Sequence, residues 1–157
     1  MNIETIGTVH SPFKQAQGVP IQPTAAKDVK GTIEIKQQFA EGLSDLDGFS
    51  HIVVLFGFHL STGCKLKVKP FLDDNLRGVF ATRAPNRPSQ IGLSIVTLEK
   101  VEGRTLHISG VDMIDGTPIL DIKPYLPMLN PEGDIKIGWL KNAHRQFEHK
   151  KADDRML

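Results

Sequence analysis

His51-Ile52-Val53-Val54-Leu55-Phe56-Gly57-Phe58-His59-Leu60 decides the fold class of this chain. Its centre is apolar, and rich in β-branched and aromatic side chains, which predicts a strand buried on both faces. The apolar part, Ile52 to Phe58, is far too short to cross a bilayer. Upstream, Phe39 to Asp47 reads as a turn or one short helix, and Thr32-Ile33-Glu34-Ile35-Lys36 alternates as a half-buried strand does. Ile3 to Val9 reads as a first strand, ended at Pro12, which lacks a ladder donor. Lys14 to Lys30 joins the two as a long connection punctuated by Gly18, Pro20 and Pro23.

Downstream, Lys65, Lys67 and Lys69 alternate with Leu66 and Val68, giving that segment one basic face. Gly92 to Val101 and Arg104 to Ser109 alternate on either side of Glu102-Gly103, which predicts a hairpin. From Asp134 the period changes. Ile137, Leu140, Ala143 or His144, and Phe147 recur at helical spacing, so a helix is expected over residues 135–149 with Asp134 as N-cap. Short strands without strand–helix–strand alternation argue against a parallel doubly wound sheet. The expected fold is mainly β: an antiparallel, barrel-like single domain over residues 1–157, with its core in residues 3–127 and a short C-terminal helix.

The composition supports a globular domain. The chain has 157 residues, 39% hydrophobic and 24% charged, with a formal net charge of +1. That is enough for a core without staples, and any basic surface must be a local patch. Cys64 is the only cysteine, which excludes an intrachain disulfide and points to a reducing cytoplasm. The first residues lack the charged and apolar regions of a leader, and no membrane anchor is expected. No C-x-x-C or H-E-x-x-H occurs, and His144 and His149 are poorly spaced for a shared metal, so none is expected. G-x-G-x-x-G and the P-loop are also missing.

What remains is a set of proline-braced loops. Gly78-Val79-Phe80-Ala81-Thr82-Arg83-Ala84-Pro85-Asn86-Arg87-Pro88-Ser89-Gln90-Ile91-Gly92 holds two arginines between strands, stiffened by Pro85 and Pro88. Val19 to Pro23 is similar in style. So is Asp112 to Tyr125, with a turn at Asp115-Gly116 and carboxylates at Asp112, Asp115 and Asp121. A ligand carrying both charges, such as an amino acid, can be met by Arg83 at its carboxylate and by an aspartate at its ammonium.

These segments resemble the TsaA/TrmO-like family of S-adenosylmethionine-dependent tRNA adenine-N6-methyltransferases. The matching stretches are Ile6 to Phe13, Pro20 to Pro23, Leu46 to His51, Gly78 to Gly92, and Asp115 to Tyr125, in the family's order. The resemblance implies a β-barrel-like homodimer that binds S-adenosyl-L-methionine. It assigns cofactor contacts to Ile21, Gln22, Pro23, His59, Leu60, Arg83, Leu93, Ile114, Asp115, Gly116 and Thr117. Main-chain groups at Leu93 and in the Asp115 turn are expected at the adenine and hydroxyls, and Gln22 at the methionine end. The chain departs from the pattern with Ala84 where the family has Ser, and with Ser89-Gln90 where it has Asn-Pro.

The implied acceptor is N6 of threonylcarbamoyl-adenosine beside the anticodon of tRNA, reachable because loop bases are unpaired. Lys65, Lys67, Lys69 and Arg87 are the expected phosphate contacts, and Asp112, Asp121 and Tyr125 the candidate proton acceptors. The alternatives are a methyltransferase with a small-molecule or protein acceptor, and a non-catalytic S-adenosylmethionine-binding module.

Overall fold

The structure is a computed structural model and describes residues 2–21, 26–142 and 151–153. Its strands are β1 (Gly7–His10), β2 (Lys30–Ile35), β3 (His51–Gly57), β4 (Lys67–Val68), β5 (Arg77–Gly78), β6 (Ile91–Glu102), β7 (Thr105–Ser109) and β8 (Pro118–Pro124). Six of them close an antiparallel barrel in the order β1-β2-β7-β6-β3-β8, and β8 returns to β1 with Gly7 opposite Ile119. β4 and β5 form a separate two-stranded ribbon.

The barrel interior follows from strand alternation. Ile52, Val54 and Phe56 of β3 point inward with Val9, Ile33, Ile35, Val96, Leu98, Leu106, Ile108 and Ile119. Val53 and Leu55 are only half-buried, so β3 is not covered on both faces as its apolar run predicts. A closed barrel has one interior, and the outer face of β3 is one wall of its exterior. The hairpin between β6 and β7 turns at Gly103, whose φ of +60° suits glycine. Register shifts between Leu98 and Lys100 of β6, and between Leu55 and Phe56 of β3, supply the local bends that closure needs.

Several expected boundaries move. β1 begins at Gly7 rather than Ile3. Residues 79–81 form a 3-10 turn at the start of the proline-braced loop. The stretch Pro118–Pro124, read from sequence as loop, is a full barrel strand paired on both sides. Its prolines occupy the first and last positions, where a strand tolerates a missing donor. Of the expected C-terminal helix, residues 135–137 are not helical and Gly138–Asn142 is a 3-10 segment, while 143–149 lie outside the described residues. Among the described residues no helix is long and apolar enough to cross a membrane.

Candidate cofactor site

One end of the barrel opens into a cavity of about 590 Å³, within the usual range for small-molecule sites. The end of β3 and the following turn give it Phe56, Phe58, His59 and Leu60, the start of β6 gives Leu93 and Ser94, and the loop after β5 gives Phe80, Arg83 and Arg87. Val19 and Ile21 close one side, Asp112, Ile114 and Thr117 another, and Trp139, Ala152 and Asp153 reach over from the C-terminal segment.

Local chemistry explains why this end is open. Ser94 faces inward on β6 between Gly92 and Val96, where alternation demands an apolar side chain. It is 1% exposed and donates its hydroxyl to Asp112 Oδ1 at 2.6 Å. Burial pushes the Asp112 carboxyl up to about 6, although the Ser94 hydrogen bond and the nearby Arg83 charge both favour the ionised form. Gly92 makes room for Phe56: a Cβ there would stand 2.4 Å from the Phe56 ring. Arg83 donates from Nη2 to the Leu93 carbonyl, which fixes the guanidinium at the cavity wall.

The neighbouring segments are tied down by main-chain bonds. Ala152 N–H donates to the Val19 carbonyl at 2.8 Å, and Gly18 N–H to the Ala152 carbonyl at 2.8 Å. Trp139 donates its indole N–H to the Ala81 carbonyl at 2.8 Å. Thr117 Oγ1 donates to the Ile114 carbonyl at 2.6 Å and lies 3.4 Å from His59 Nδ1.

Of the expected cofactor contacts, Ile21, His59, Leu60, Arg83, Leu93, Ile114 and Thr117 line this one cavity. Gln22 and Pro23 lie outside the described residues. Asp115 and Gly116 do not line it. Asp115 instead accepts from Lys14 Nζ at 2.7 Å and from the Ser11 amide at 3.1 Å, bonds that hold its carboxyl below the usual range. The amides of that turn are engaged as well. Asp115 N–H donates to Phe13, Gly116 N–H to Val9 and Thr117 N–H to Ile114, so these three amides are engaged within the protein. The Leu93 carbonyl is likewise engaged, by Arg83.

Among the candidate proton acceptors only Asp112 lines the cavity. Asp121, opposite Leu55 on the outer wall, pairs with Lys123 at 2.6 Å. The Tyr125 hydroxyl donates to Asn130 at 2.7 Å. Among the expected phosphate contacts, Arg87 braces its own loop by donating from Nη1 to the Thr82 and Ala84 carbonyls, both at 3.1 Å. Lys65, Lys67 and Lys69 are all exposed, but regular strand covers only Lys67–Val68, and Lys69 pairs with Asp74 at 3.1 Å. No group of three or more His, Cys, Asp or Glu among the described residues is placed to hold a metal ion.

Sequence reasoning missed Ser94, the aromatic lining and the C-terminal wall. Ser94 was discoverable, as the one hydroxyl on the inward register of an apolar strand. Trp139 and Ala152 carry no local signal for the loops they meet.

The geometry can be set beside known proteins. Residues 8–130 match the family described as tRNA-methyltransferase O N-terminal domain. The chain is 48% identical over 153 residues to a "probable S-adenosyl-L-methionine-binding protein" of Pyrococcus abyssi, covering 97% of this chain and 83% of that one. It is 37% identical over 150 residues to the tRNA (adenine(37)-N6)-methyltransferase of Escherichia coli, covering 89% of this chain and 64% of the relative. The crystal structure of TrmO from Pseudomonas aeruginosa superposes with a TM-score of 0.73 at 38% identity, over 88% of this chain and 62% of that one. The chain therefore spans less than two thirds of the last two proteins. The fold and the matched span agree, and this chain belongs to the tRNA-methyltransferase O N-terminal domain family.

Proposed function

We propose that this protein is an S-adenosyl-L-methionine-dependent methyltransferase acting on N6 of an adenine beside the anticodon of tRNA. The observation that carries this reading is the convergence of loops distant in sequence on one cavity with both signs of charge in its wall, in a chain of this family. The site residues suit the cofactor. Arg83 is the group for its carboxylate, and Phe56, Phe58 and Ile114 are the apolar surface for its adenosine. Ile21, His59, Leu60, Leu93 and Thr117 complete the proposed contacts, with Gln22 and Pro23 following Ile21 in sequence. When bound, the cofactor supplies a methyl group on a sulfonium, already activated for transfer. The protein's part is to orient the acceptor and exclude water.

The acceptor we favour is threonylcarbamoyl-adenosine. Phe80 lines the cavity at 76% exposure, a ring free to stack on an unpaired base. Lys65 and Lys67 supply exposed positive charge in the ribbon region that precedes this loop. A homodimer is supported by the outer wall beside the cavity, where Leu93 and Ile95 are 40% and 39% exposed on one face of β6. We place the protein in the cytoplasm, with tRNA, as a single domain. The test is incubation with labelled cofactor and tRNA, with and without the threonylcarbamoyl group, followed by nucleoside analysis. Label in the N6-methylated nucleoside supports the reading. Cofactor binding with no label in any RNA overturns it in favour of a binding module.

A further inference from the structure

We infer that Asp112 is the proton acceptor for the N6 nitrogen that becomes methylated. The inference rests on the methyl transfer proposed above. Its geometry does not depend on the family, because the contacts that the resemblance assigns to the cofactor do not include Asp112. Asp112 lies at the barrel mouth, lines the cavity, and is held by the 2.6 Å bond from Ser94. That bond engages one lone pair of one oxygen, and a carboxylate has further acceptor sites. The other candidates are elsewhere: Asp121 is paired on the outer wall, and Tyr125 is bonded to Asn130.

The chemistry requires such a group. The acceptor N6, a ureido N–H conjugated with both the ring and the carbamoyl group, is a weak nucleophile, and its methylated product is acidic until it loses a proton. As the nitrogen lone pair forms the bond to the methyl carbon, the carbon–sulfur bond breaks and its electron pair stays on sulfur, leaving a neutral thioether. The nitrogen's proton passes to the Asp112 carboxylate, and the resulting acid releases it to solvent before the next turnover. A carboxyl titrating near 6 is ionised at neutral pH yet more basic than an ordinary aspartate, which suits it to this work. Arg83, Arg87, His59 and Asp153 are the other charged or titratable groups that line the cavity among the described residues. Arg83 acts on Asp112 directly and favours its ionised form.

The test compares wild type with Asp112→Asn, Asp112→Glu and Ser94→Ala. Cofactor affinity is read by calorimetry, and single-turnover methyl transfer to tRNA is followed from about pH 5 to 8. Wild-type rates should rise through an acid limb near the Asp112 value. Asp112→Asn should transfer about two to four powers of ten more slowly, without that limb, and lose far less in cofactor affinity than in rate. Asp112→Glu should recover part of the rate. Ser94→Ala should move the limb to higher pH, because it removes a bond to the ionised form. This arm answers the question even if Asp112→Asn does not fold. Unchanged turnover in Asp112→Asn, or an unmoved limb in Ser94→Ala, overturns the assignment alone. A loss of cofactor affinity that matches the loss of rate also overturns it, and makes Asp112 a ligand of the cofactor's ammonium group. A wild-type protein that binds cofactor but transfers no methyl group to tRNA overturns the functional reading, and this assignment with it.

Discussion

Trp139 donates its indole N–H to the Ala81 carbonyl at 2.8 Å while the Arg77 guanidinium lies over the same ring, 5.6 Å from its centroid. The pair fastens the C-terminal segment to the turn that precedes Arg83. Arg77 is itself held by Asp73, at 2.6 Å from Nε and 2.5 Å from Nη2. Trp139→Phe keeps an aromatic surface and removes the donor. We expect this to weaken the attachment by about 1 kcal/mol, roughly a fivefold change. Limited proteolysis should then cut the C-terminal segment faster, and cofactor affinity should fall by a similar factor. Equal cleavage rates would show that the indole is a bystander.

Arg83→Ala should weaken cofactor binding far more than folding. The residue is exposed and leaves no core void, so the melting temperature should hold. A charge-assisted donor is worth roughly 1.5–3 kcal/mol, one to two powers of ten in affinity. Arg83→Lys should restore only part, because lysine cannot reach both a ligand carboxylate and the Leu93 carbonyl with a planar fork. Calorimetry on the three proteins decides the point.

Asp112 should make stability depend on pH in a defined direction. Its carboxyl titrates at about 6 in the folded protein against an ordinary 3.8, so the folded state binds the proton more tightly. Its stabilising contribution is therefore complete below about pH 4 and is lost as pH rises through about 6. The loss amounts to roughly 3 kcal/mol at neutral pH. Asp112→Asn lacks this dependence. Denaturant unfolding should show the variant gaining on wild type between pH 4 and 7. A constant difference across that window would mean that Asp112 is not perturbed.

Gly92→Ala should destabilise the barrel by about 1–3 kcal/mol, the usual range for overpacking. Its Cβ would stand 2.4 Å from two atoms of the Phe56 ring, and Phe56 is only 6% exposed, so the ring has little room to withdraw. Pairing it with Phe56→Leu should recover much of the loss, since the two positions face each other in register. Strict additivity in that cycle would count against the ring as the cause.

Lys65→Gln with Lys67→Gln should weaken tRNA binding and reduce its salt dependence. The slope should fall by about 0.7 for each single-strand phosphate that is no longer neutralised. Adding Lys69→Gln should do less, because Lys69 already pairs with Asp74. Cofactor affinity should stay level, since none of the three lysines lines the cavity. Parallel salt plots for wild type and variant would move the RNA-binding surface elsewhere.

The sequence is most legible where one rule governs a segment. Alternation finds β6 and β7 with their turn at Gly103, and an apolar β-branched run finds β3. β8 is hidden because Pro118, Asp121, Lys123 and Pro124 each look like loop residues. In place, the prolines sit at its ends and the charges face outward, but that depends on pairing with β1 and β3, which local patterning does not encode. The site divides similarly. Arg83 and Asp112 could be nominated because polar residues in stiff loops are conspicuous, and Ile21 through the family resemblance. That they share a cavity, and that Asp115 braces the end of β1 instead of joining them, depends on interactions between residues far apart in the chain.

β8 is the last of the barrel strands among the described residues to be synthesised, and it joins β1 to β3. Until it docks, the other five barrel strands can form only an open sheet with β1 and β3 as bare edges. β3, still paired to β6 on one side, is then an apolar, β-branched edge bare on the other, the kind of template on which chains add to one another. Closure removes both edges in one step, but it must bring Ile119 to Gly7 across most of the chain, a pairing of high loop-closure cost. For a nascent chain on the ribosome we expect a sticky stage that ends only after residue Pro124 has emerged, since β8 runs Pro118–Pro124. Slow elongation past β8, or a stop before it, leaves a species whose hazard is aggregation rather than lost activity.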